Sequence, residues 1–153
     1  MTTPVTLLMN TASAADIQAH LLGCQADFVI ALTQQTDLTL YAEKMAALAT
    51  RFELWQASHM VGLLAVYSNQ PPLAFITNVS VWPSLQGQGY AAQLMTACIA
   101  HVQTLNFQSQ GFQSIGLKVA NTNSKAIHFY QQFGFTALQA DEAELSMRLS
   151  LNE

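Results

Sequence analysis

The sequence predicts a single-domain protein of the α/β (α+β) class. Its 153 residues fit one domain, and hydrophobic residues make up 51% of them, which is enough for a core. Short runs of alternating, β-branched residues are interleaved with segments in which apolar residues recur at helical spacing. Because no internal repeat or low-complexity linker interrupts this alternation, we expect one domain over residues 1–153.

Capping residues and an apolar stripe predict two helices in the first third of the chain. After a short strand at 4–9, Ser13-Ala14-Ala15-Asp16 forms a capping-box-like helix start, and Gly23 ends that helix. Thr36 or Asp37 is expected to cap the second helix, whose apolar stripe we interpret as core-facing. That stripe consists of Leu38, Tyr41, Met45 and Leu48.

The later elements follow from the same two periods. Alternating residues predict a hairpin with a turn near Ser58-His59, and a third strand follows it. Cys98 lies on the apolar face of the next helix, where we expect a small buried residue and not a nucleophile. The expected strands are 51–57, 61–67, 73–81, 114–120, 135–140 and 144–151, and the expected helices are 91–105 and 124–133.

Charge and cysteine content exclude several classes of partner. Lys and Arg number 5 against 9 Asp and Glu, too few cations for a nucleic acid or an anionic membrane surface. The N-terminus shows no signal-peptide pattern, and no apolar stretch approaches the ~18 residues of a membrane span. Cys24 and Cys98 are too few for a disulfide framework. We therefore expect a reduced, cytoplasmic protein.

The four histidines show no spacing typical of metal ligands. We interpret them as surface or helix-face residues and expect no metal cofactor. They are His20, His59, His101 and His128.

The stretch from Asn78 to Ala92 joins a strand to a helix through a glycine-containing loop, Gln86-Gly87-Gln88-Gly89. The glycines permit positive φ, and the first helical N–H groups lack partners within the helix. A phosphate or pyrophosphate suits such a loop. No Gly-Lys-Ser/Thr and no complete dinucleotide fingerprint follow, so neither a P-loop nor a dinucleotide site is supported. A plain strand-to-helix connection remains the alternative.

A second motif runs from Asn121 to Tyr130 and is followed by Gly134-Phe135. Together the two motifs resemble those of the GNAT superfamily of acyl-CoA-dependent N-acetyltransferases. The pyrophosphate signature of that family, Gln/Arg-x-x-Gly-x-Gly/Ala, is matched by Gln86, Gly89 and Ala91. Its second signature, Asn-x-x-Ala-x-x-Phe-Tyr followed by Gly-Phe, is matched by Asn123, Ala126, Phe129, Tyr130, Gly134 and Phe135.

The resemblance implies a fold and a cofactor. It covers Arg51 to Phe135 well and the first fifty residues loosely. It implies a mixed, twisted central sheet of about six to seven strands with helices on both faces, and a V-shaped slot for the pantetheine arm of acetyl-CoA. The residues that it places at the cofactor are Val79, Val81, Gln86, Gly87, Gln88, Gly89, Tyr90, Ala91, Asn123 and Tyr130. Asn121 is close enough to share the role of Asn123, which is equally suited to be a helix N-cap.

The resemblance also implies the chemistry, in which a neutral amine attacks the acetyl carbonyl directly in a ternary complex. Tyr130 would protonate the departing thiolate, since an ordinary phenol has a pKa of about 10. A core aromatic is the alternative for that residue. The motif strand lacks the Glu that some members carry, so deprotonation would use a water chain on Asn78, Ser80 or Tyr67, or Glu53.

Three residues are expected at the acceptor amine: Glu53, Tyr67 and Asn78. Of these, Asn78 is also a candidate catalytic residue, in addition to Tyr130. For Glu53 we expect a solvent-facing position instead, because it alternates with apolar neighbours on its strand. The segment 32–49 would form the region that covers the acceptor site in this family.

The leading interpretation is an N-acetyltransferase that acts on a primary amine of a small molecule, such as an amino sugar, an amino acid or a similar metabolite. A protein or peptide N-acetyltransferase is the second interpretation. A non-catalytic acyl-CoA-binding module is the third, and the missing carboxylate keeps it open. A homodimer is an open expectation, because a surface poor in charge opposes association weakly.

Overall fold

The computed structural model describes residues 3–24, 35–108 and 111–151. The elements in chain order are β1 (Val5–Met9), α1 (Ala14–Gly23), α2 (Gln35–Leu48), β2 (Thr50–Gln56), β3 (His59–Tyr67), β4 (Leu73–Val81), α3 (Tyr90–Phe107), β5 (Ser114–Ala120), α4 (Ser124–Gln132), β6 (Thr136–Ala140) and β7 (Glu144–Ser150). The strands form one sheet in the order β1-β2-β3-β4-β5-β7-β6. Strand β4 runs parallel to β5, whereas β2 is antiparallel to β1 and to β3, and β7 to β5 and to β6. The predicted class and the mixed seven-stranded sheet are confirmed.

Tertiary contacts group the chain into two compact units. The first comprises residues 1–66 and 78–98, and the second comprises residues 67–77 and 99–153. The boundaries fall within β3, β4 and α3, and each unit is described separately below. The expectation of a single domain over the whole chain stays a prediction.

Most predicted boundaries lie within two residues of the observed ones. The capping box on α1 is confirmed, because Ser13 Oγ accepts from the Asp16 N–H at 3.1 Å and the Asp16 carboxylate accepts from the Ser13 N–H at 2.9 Å. The predicted cap of α2 is wrong, since that helix begins at Gln35 and contains both Thr36 and Asp37.

The prediction for one residue of the α2 stripe is also wrong. Leu48 is 52% exposed, whereas Leu38 and Met45 are buried, as are Ala42 and Ala49. At 100° per residue, the four buried positions cluster on one side of the helix and Leu48 lies about 80° away from Leu38. The stripe therefore follows Ala42 and not Leu48.

The first unit contains a buried arginine on β2. Arg51 is 6% exposed, and its Nε donates to the Glu53 carboxylate at 3.2 Å. Its Nη2 donates to the Ala12 carbonyl at 3.1 Å, just before α1. Its Nη1 reaches the end of α2, where positive charge is favoured by the helix dipole. There it contacts the carbonyls of Met45, Ala46 and Ala49 at 3.2, 3.1 and 3.2 Å.

Glu53 is fully buried, so the expectation that it faces solvent is wrong. Its Oε1 accepts from the Thr11 hydroxyl at 2.6 Å, the Thr11 N–H at 3.0 Å and the Trp55 indole N–H at 3.2 Å. Its Oε2 accepts from the Ala12 N–H at 3.0 Å and from Arg51. Five donors satisfy a carboxylate that offers about four lone-pair directions. Glu53 thus joins β2 to the segment that enters α1.

The second unit is built on the antiparallel pair β5 and β7, which are in register from Ser114↔Ser150 to Ala120↔Glu144. Leu73 at the start of β4 pairs with Ser114. The buried apolar residues here include Ile115, Leu117, Phe135 and Met147. Within the residues that the structure describes, no helix is long and apolar enough to cross a membrane.

The Arg51–Glu53 pair generates a stability prediction. Glu53→Gln keeps the side-chain shape but leaves the buried guanidinium without its counter-charge and turns an NH2 group towards hydrogen-bond donors. We expect the free energy of unfolding, measured by urea denaturation, to fall by about 3–5 kcal/mol. Glu43 is exposed on α2, and Glu43→Gln is the matched control, with an expected change within about 0.5 kcal/mol. Similar small losses in both variants would contradict a stabilising role for the pair.

Candidate functional site

The loop that leaves β4 is braced against the end of that strand. Residues Pro83–Leu85 form a short 3-10 helix, and the backbone N–H of Gln86 bonds to the Pro83 carbonyl at 3.3 Å. The Gln86 side-chain amide donates to the carbonyl of Val81 at 3.1 Å. The structure therefore brings two of the predicted cofactor residues together, with Gln86 holding the loop in place. Val79 precedes them on β4 and is half-buried.

Two glycines shape the turn into α3. Gly87 and Gly89 have φ values of 79° and 87°, and a Cβ on either residue would meet no atom within 4 Å. They are therefore required by conformation and not by crowding, and the space above the loop is open. The first helical bond runs from the Gln93 N–H to the Gly89 carbonyl at 3.1 Å. The N–H groups of Tyr90 and Ala91 consequently precede the helical ladder and are available to an anion.

The side chains of Asn78 and Ser80 project from β4 towards α1. The Ser80 hydroxyl lies 2.8 Å from Asn78 Oδ1 and 2.8 Å from Nε2 of His20. The other ring nitrogen of His20, Nδ1, lies 3.1 Å from the Met60 carbonyl. The structure thus links the predicted candidate Asn78, through Ser80, to a histidine on α1.

His20 is 1% exposed, so it lies on a face of α1 but is not the surface residue that we also considered. Burial lowers the pKa of its imidazole from 6.5 to about 4, since an imidazolium loses hydration there. The missed signal is periodicity, because His20 belongs to the buried stripe of α1 at helical spacing. That stripe consists of Ile17, His20, Leu21 and Cys24, and all four are at most 1% exposed. Cys98 is also buried, as predicted, and burial raises its pKa to about 12.

The remaining predicted residues belong to the second unit. Asn123 Oδ1 accepts from the Ala126 N–H at 3.1 Å, so this residue is the N-cap of α4. Asn121 donates through its side-chain amide to the Asp141 carbonyl at 2.9 Å. Tyr67 ends β3, and burial raises its pKa. Cofactor and acceptor contacts of Asn123 and Tyr67 stay predictions.

Tyr130 is held on α4 by aromatic neighbours. Its ring packs edge-on against Phe129 and Phe135, with centroid distances of 5.5 and 6.0 Å. Burial raises its pKa from 10.0 to about 12, because the phenolate would lose hydration. Within the part of the chain that the structure describes, no hydrogen bond to its hydroxyl is present. The phenol therefore keeps its proton throughout the neutral range and has it free to donate.

Glu53 differs from these groups because its carboxylate is already fully hydrogen-bonded within the chain. Both carboxylate oxygens are occupied by the chain's own donors, as described above. Its predicted contact with an acceptor amine stays a prediction, and the geometry gives it a different task. Among the described residues, no three His, Cys, Asp or Glu side chains lie close enough to hold a metal ion.

The family model described as the acetyltransferase (GNAT) family matches residues 25–135. No curated protein sequence matches the chain.

Similar solved structures share the fold. The ribosomal-protein-S18-alanine N-acetyltransferase from Escherichia coli has 18% identity and a TM-score of 0.73, with 98% of this chain and 96% of that chain covered. Ard1 from Thermoplasma volcanium has 21% identity and a TM-score of 0.73, covering 97% and 99%. The PaiA N-acetyltransferase from Thermoplasma acidophilum, solved in complex with coenzyme A, has 13% identity and a TM-score of 0.69, covering 95% and 99%.

Burial of His20 predicts loss of stability in acid. Its folded pKa of about 4 lies below the unfolded value of 6.5, so the unfolded state binds more protons between the two values. The stability contribution is complete above pH 6.5 and is lost as the pH falls towards 4. At 1.36 kcal/mol per pKa unit, acidification from about pH 7.5 to about pH 4 should cost the wild type roughly 3 kcal/mol more than it costs His20→Gln. Urea denaturation at both pH values measures this difference, and equal losses would contradict burial of a neutral imidazole.

Proposed function

Because the chain belongs to the acetyltransferase (GNAT) family, we propose that it transfers an acetyl group from acetyl-CoA to a primary amine of a small molecule, such as an amino sugar or an amino acid. The loop between β4 and α3 is the observation that carries this proposal. Two positive-φ glycines, an open space above them and available helix N-terminal N–H groups together suit a pyrophosphate.

The proposal assigns the cofactor to the loop and its flanking strand. The backbone N–H groups from Gly87 to Ala91 would bind the pyrophosphate, and Gln86 would keep the loop in position through Val81. A backbone group of Val79 would bind the pantetheine arm. Asn123 would act chiefly through α4, since its side-chain oxygen already caps that helix.

The proposed reaction forms one bond and breaks one bond at the acetyl carbonyl. The amine nitrogen attacks the carbonyl carbon, the carbon–sulfur bond breaks, and the thiolate takes a proton from the Tyr130 hydroxyl. The attacking nitrogen releases one proton to solvent or to the next group in a water chain, and the Tyr130 phenolate regains a proton from the same solvent. The raised pKa of Tyr130 keeps the phenol protonated until a thiolate forms.

The charge distribution on β2, β3 and β4 favours a small acceptor that is recognised by hydrogen bonds. Strands β2, β3 and β4, all of whose residues the structure describes, carry one carboxylate between them, Glu53, and its oxygens are occupied. Asn78 and Ser80 are neutral hydrogen-bonding groups. An amino sugar or amino acid offers hydroxyl or carboxylate groups to such side chains, whereas a polyamine or a basic peptide needs acidic partners.

Acceptor preference tests the proposed substrate class. We expect thiol release from acetyl-CoA to depend on an added amine and to be faster with glucosamine or an amino acid than with spermidine or peptides. Preference for a peptide would instead support the protein N-acetyltransferase. Acetyl-CoA binding without release would support the non-catalytic module.

In the same assay Tyr130→Phe should lower kcat by about 10–100-fold, with the Kd for acetyl-CoA held within about twofold. Phe129→Leu, which changes the ring contact but keeps the hydroxyl, is the control.

Glycine conformation provides a separate test of the cofactor site. Gly89→Ala and Gly111→Ala both place a Cβ on a residue with positive φ, 87° and 79°, with no atom within 4 Å. Each should lose about 1–2 kcal/mol of stability by thermal unfolding. Only Gly89→Ala should weaken acetyl-CoA binding, by about tenfold or more in calorimetry, since its loop carries the proposed pyrophosphate contacts. Equal affinity in the two variants would contradict the assignment of the loop.

A further inference from the structure

A chain of polar contacts runs from the interior of the first unit to the half-exposed side of β4. It starts at the Met60 carbonyl, passes through Nδ1 and Nε2 of His20 and through the Ser80 hydroxyl, and ends at the Asn78 amide. The three contacts measure 3.1, 2.8 and 2.8 Å. Each is short enough to require one shared proton.

Counting protons shows that this chain has two arrangements. A carbonyl only accepts, so His20 Nδ1 must carry a proton towards Met60. If the imidazole is neutral, Nε2 is bare and accepts the Ser80 hydroxyl proton. Ser80 then has only lone pairs to offer, and Asn78 must present its NH2 group to it. If instead Asn78 Oδ1 faces Ser80, the hydroxyl proton goes to Asn78 and the imidazole needs a second proton. The two arrangements differ by one proton and a half-turn of an amide, whose shape is unchanged by that turn.

Burial selects the neutral arrangement near neutral pH. His20 is 1% exposed, and its pKa is lowered to about 4 by that burial. The buried Cys24 thiol also lies beside it, with its sulfur 3.7 Å from Nε2. A base this weak does not hold a proton taken from an amine at neutral pH. Its effect on chemistry is therefore to orient its neighbours.

We propose that His20 is a positioning residue for acetyl transfer, which acts through Ser80 to turn Oδ1 of Asn78 towards the N–H of the acceptor amine. This inference rests on the proposed function. The structure directs Oδ1 of Asn78 at Ser80. After the half-turn of the amide that a neutral imidazole requires, the NH2 group contacts Ser80 and the half-exposed Asn78 presents its carbonyl oxygen on the opposite side. An oxygen at that point accepts one amine N–H and so aligns the nitrogen lone pair for attack on the acetyl carbonyl.

The first test needs no acceptor. In protein labelled with 15N-histidine, the ring-nitrogen shifts of His20 should report a neutral Nδ1–H tautomer at about pH 7, with Nε2 as an acceptor. Ser80→Ala should move the Nε2 resonance of His20 and leave those of His59, His101 and His128 unchanged. An Nε2–H tautomer, an imidazolium at that pH or an unmoved Nε2 resonance would each overturn the proposal.

The second test measures the acceptor step with the fastest amine of the panel above. Ser80→Ala should lower kcat/KM for the amine by about 10–100-fold, with the Kd for acetyl-CoA within about twofold. Ser80→Thr, which keeps the hydroxyl, should return the value to within about fivefold of wild type, and His20→Gln should exceed His20→Phe because its amide oxygen accepts from Ser80. Cys24→Ala is the matched control, because Cys24 contacts the imidazole of His20 but is not part of the three-contact chain. We expect its activity to stay within about twofold of wild type.

The outcomes separate the two proposals. Equal activity for Ser80→Ala and Ser80→Thr, or parallel losses in acetyl-CoA affinity and amine turnover, would overturn the positioning role and leave the acetyltransferase proposal standing. Wild-type protein with the expected His20 tautomer but no turnover of any amine would overturn the proposed function, and the positioning role with it. Selective loss in Ser80→Ala with recovery in Ser80→Thr supports both.

Discussion

The buried pair of Arg51 and Glu53 is the interaction on which the first unit depends. Two charges removed from water are tolerated only when nearly every donor and acceptor finds a partner. Here the partners come from three places: the segment before α1, the last turn of α2 and β2 itself. Their positions are therefore coupled, because displacement of any one leaves a buried charge without its partner.

That coupling extends to the functional strand. Glu53 accepts from the backbone of Thr11 and Ala12, directly before the Ser13 cap, and so fixes where α1 begins. The buried stripe of α1 then places His20 against Ser80 on β4. A few residues later β4 passes into the glycine loop, which Gln86 ties back to the strand. A carboxylate first considered as an acceptor ligand thus contributes at a distance, by setting the helix whose histidine contacts the strand beside the proposed acceptor.

Sequence reasoning recovered most of the fold and the loop, and its errors at two polar residues, Glu53 and His20, share one cause. Periodicity located every described strand and α-helix, and two motifs identified the family, because both depend on residues close together along the chain. Glu53 was expected to face solvent because alternation assumes that a strand has one wet face. Residues Phe52 to Leu54 are all buried, as in a central strand covered on both sides. The burial of His20 was missed because histidine is a polar residue type, although this one lies on an apolar helical stripe. In both cases partners distant in sequence decided the outcome, and no local pattern contains them.

Two groups assigned to chemistry, His20 and Tyr130, are shifted by burial in opposite directions and with the same consequence. The pKa of the imidazole falls to about 4 and that of the phenol rises to about 12, so both are neutral over the physiological range. Under the proposed mechanism neither titrates where the enzyme would work. The acceptor must arrive as a free amine, because an ammonium has no lone pair for attack. The pH dependence of amine turnover would then be set by the pKa of the substrate amine. Such a protein supplies orientation and a ready proton donor, and it leaves deprotonation of the amine to solvent.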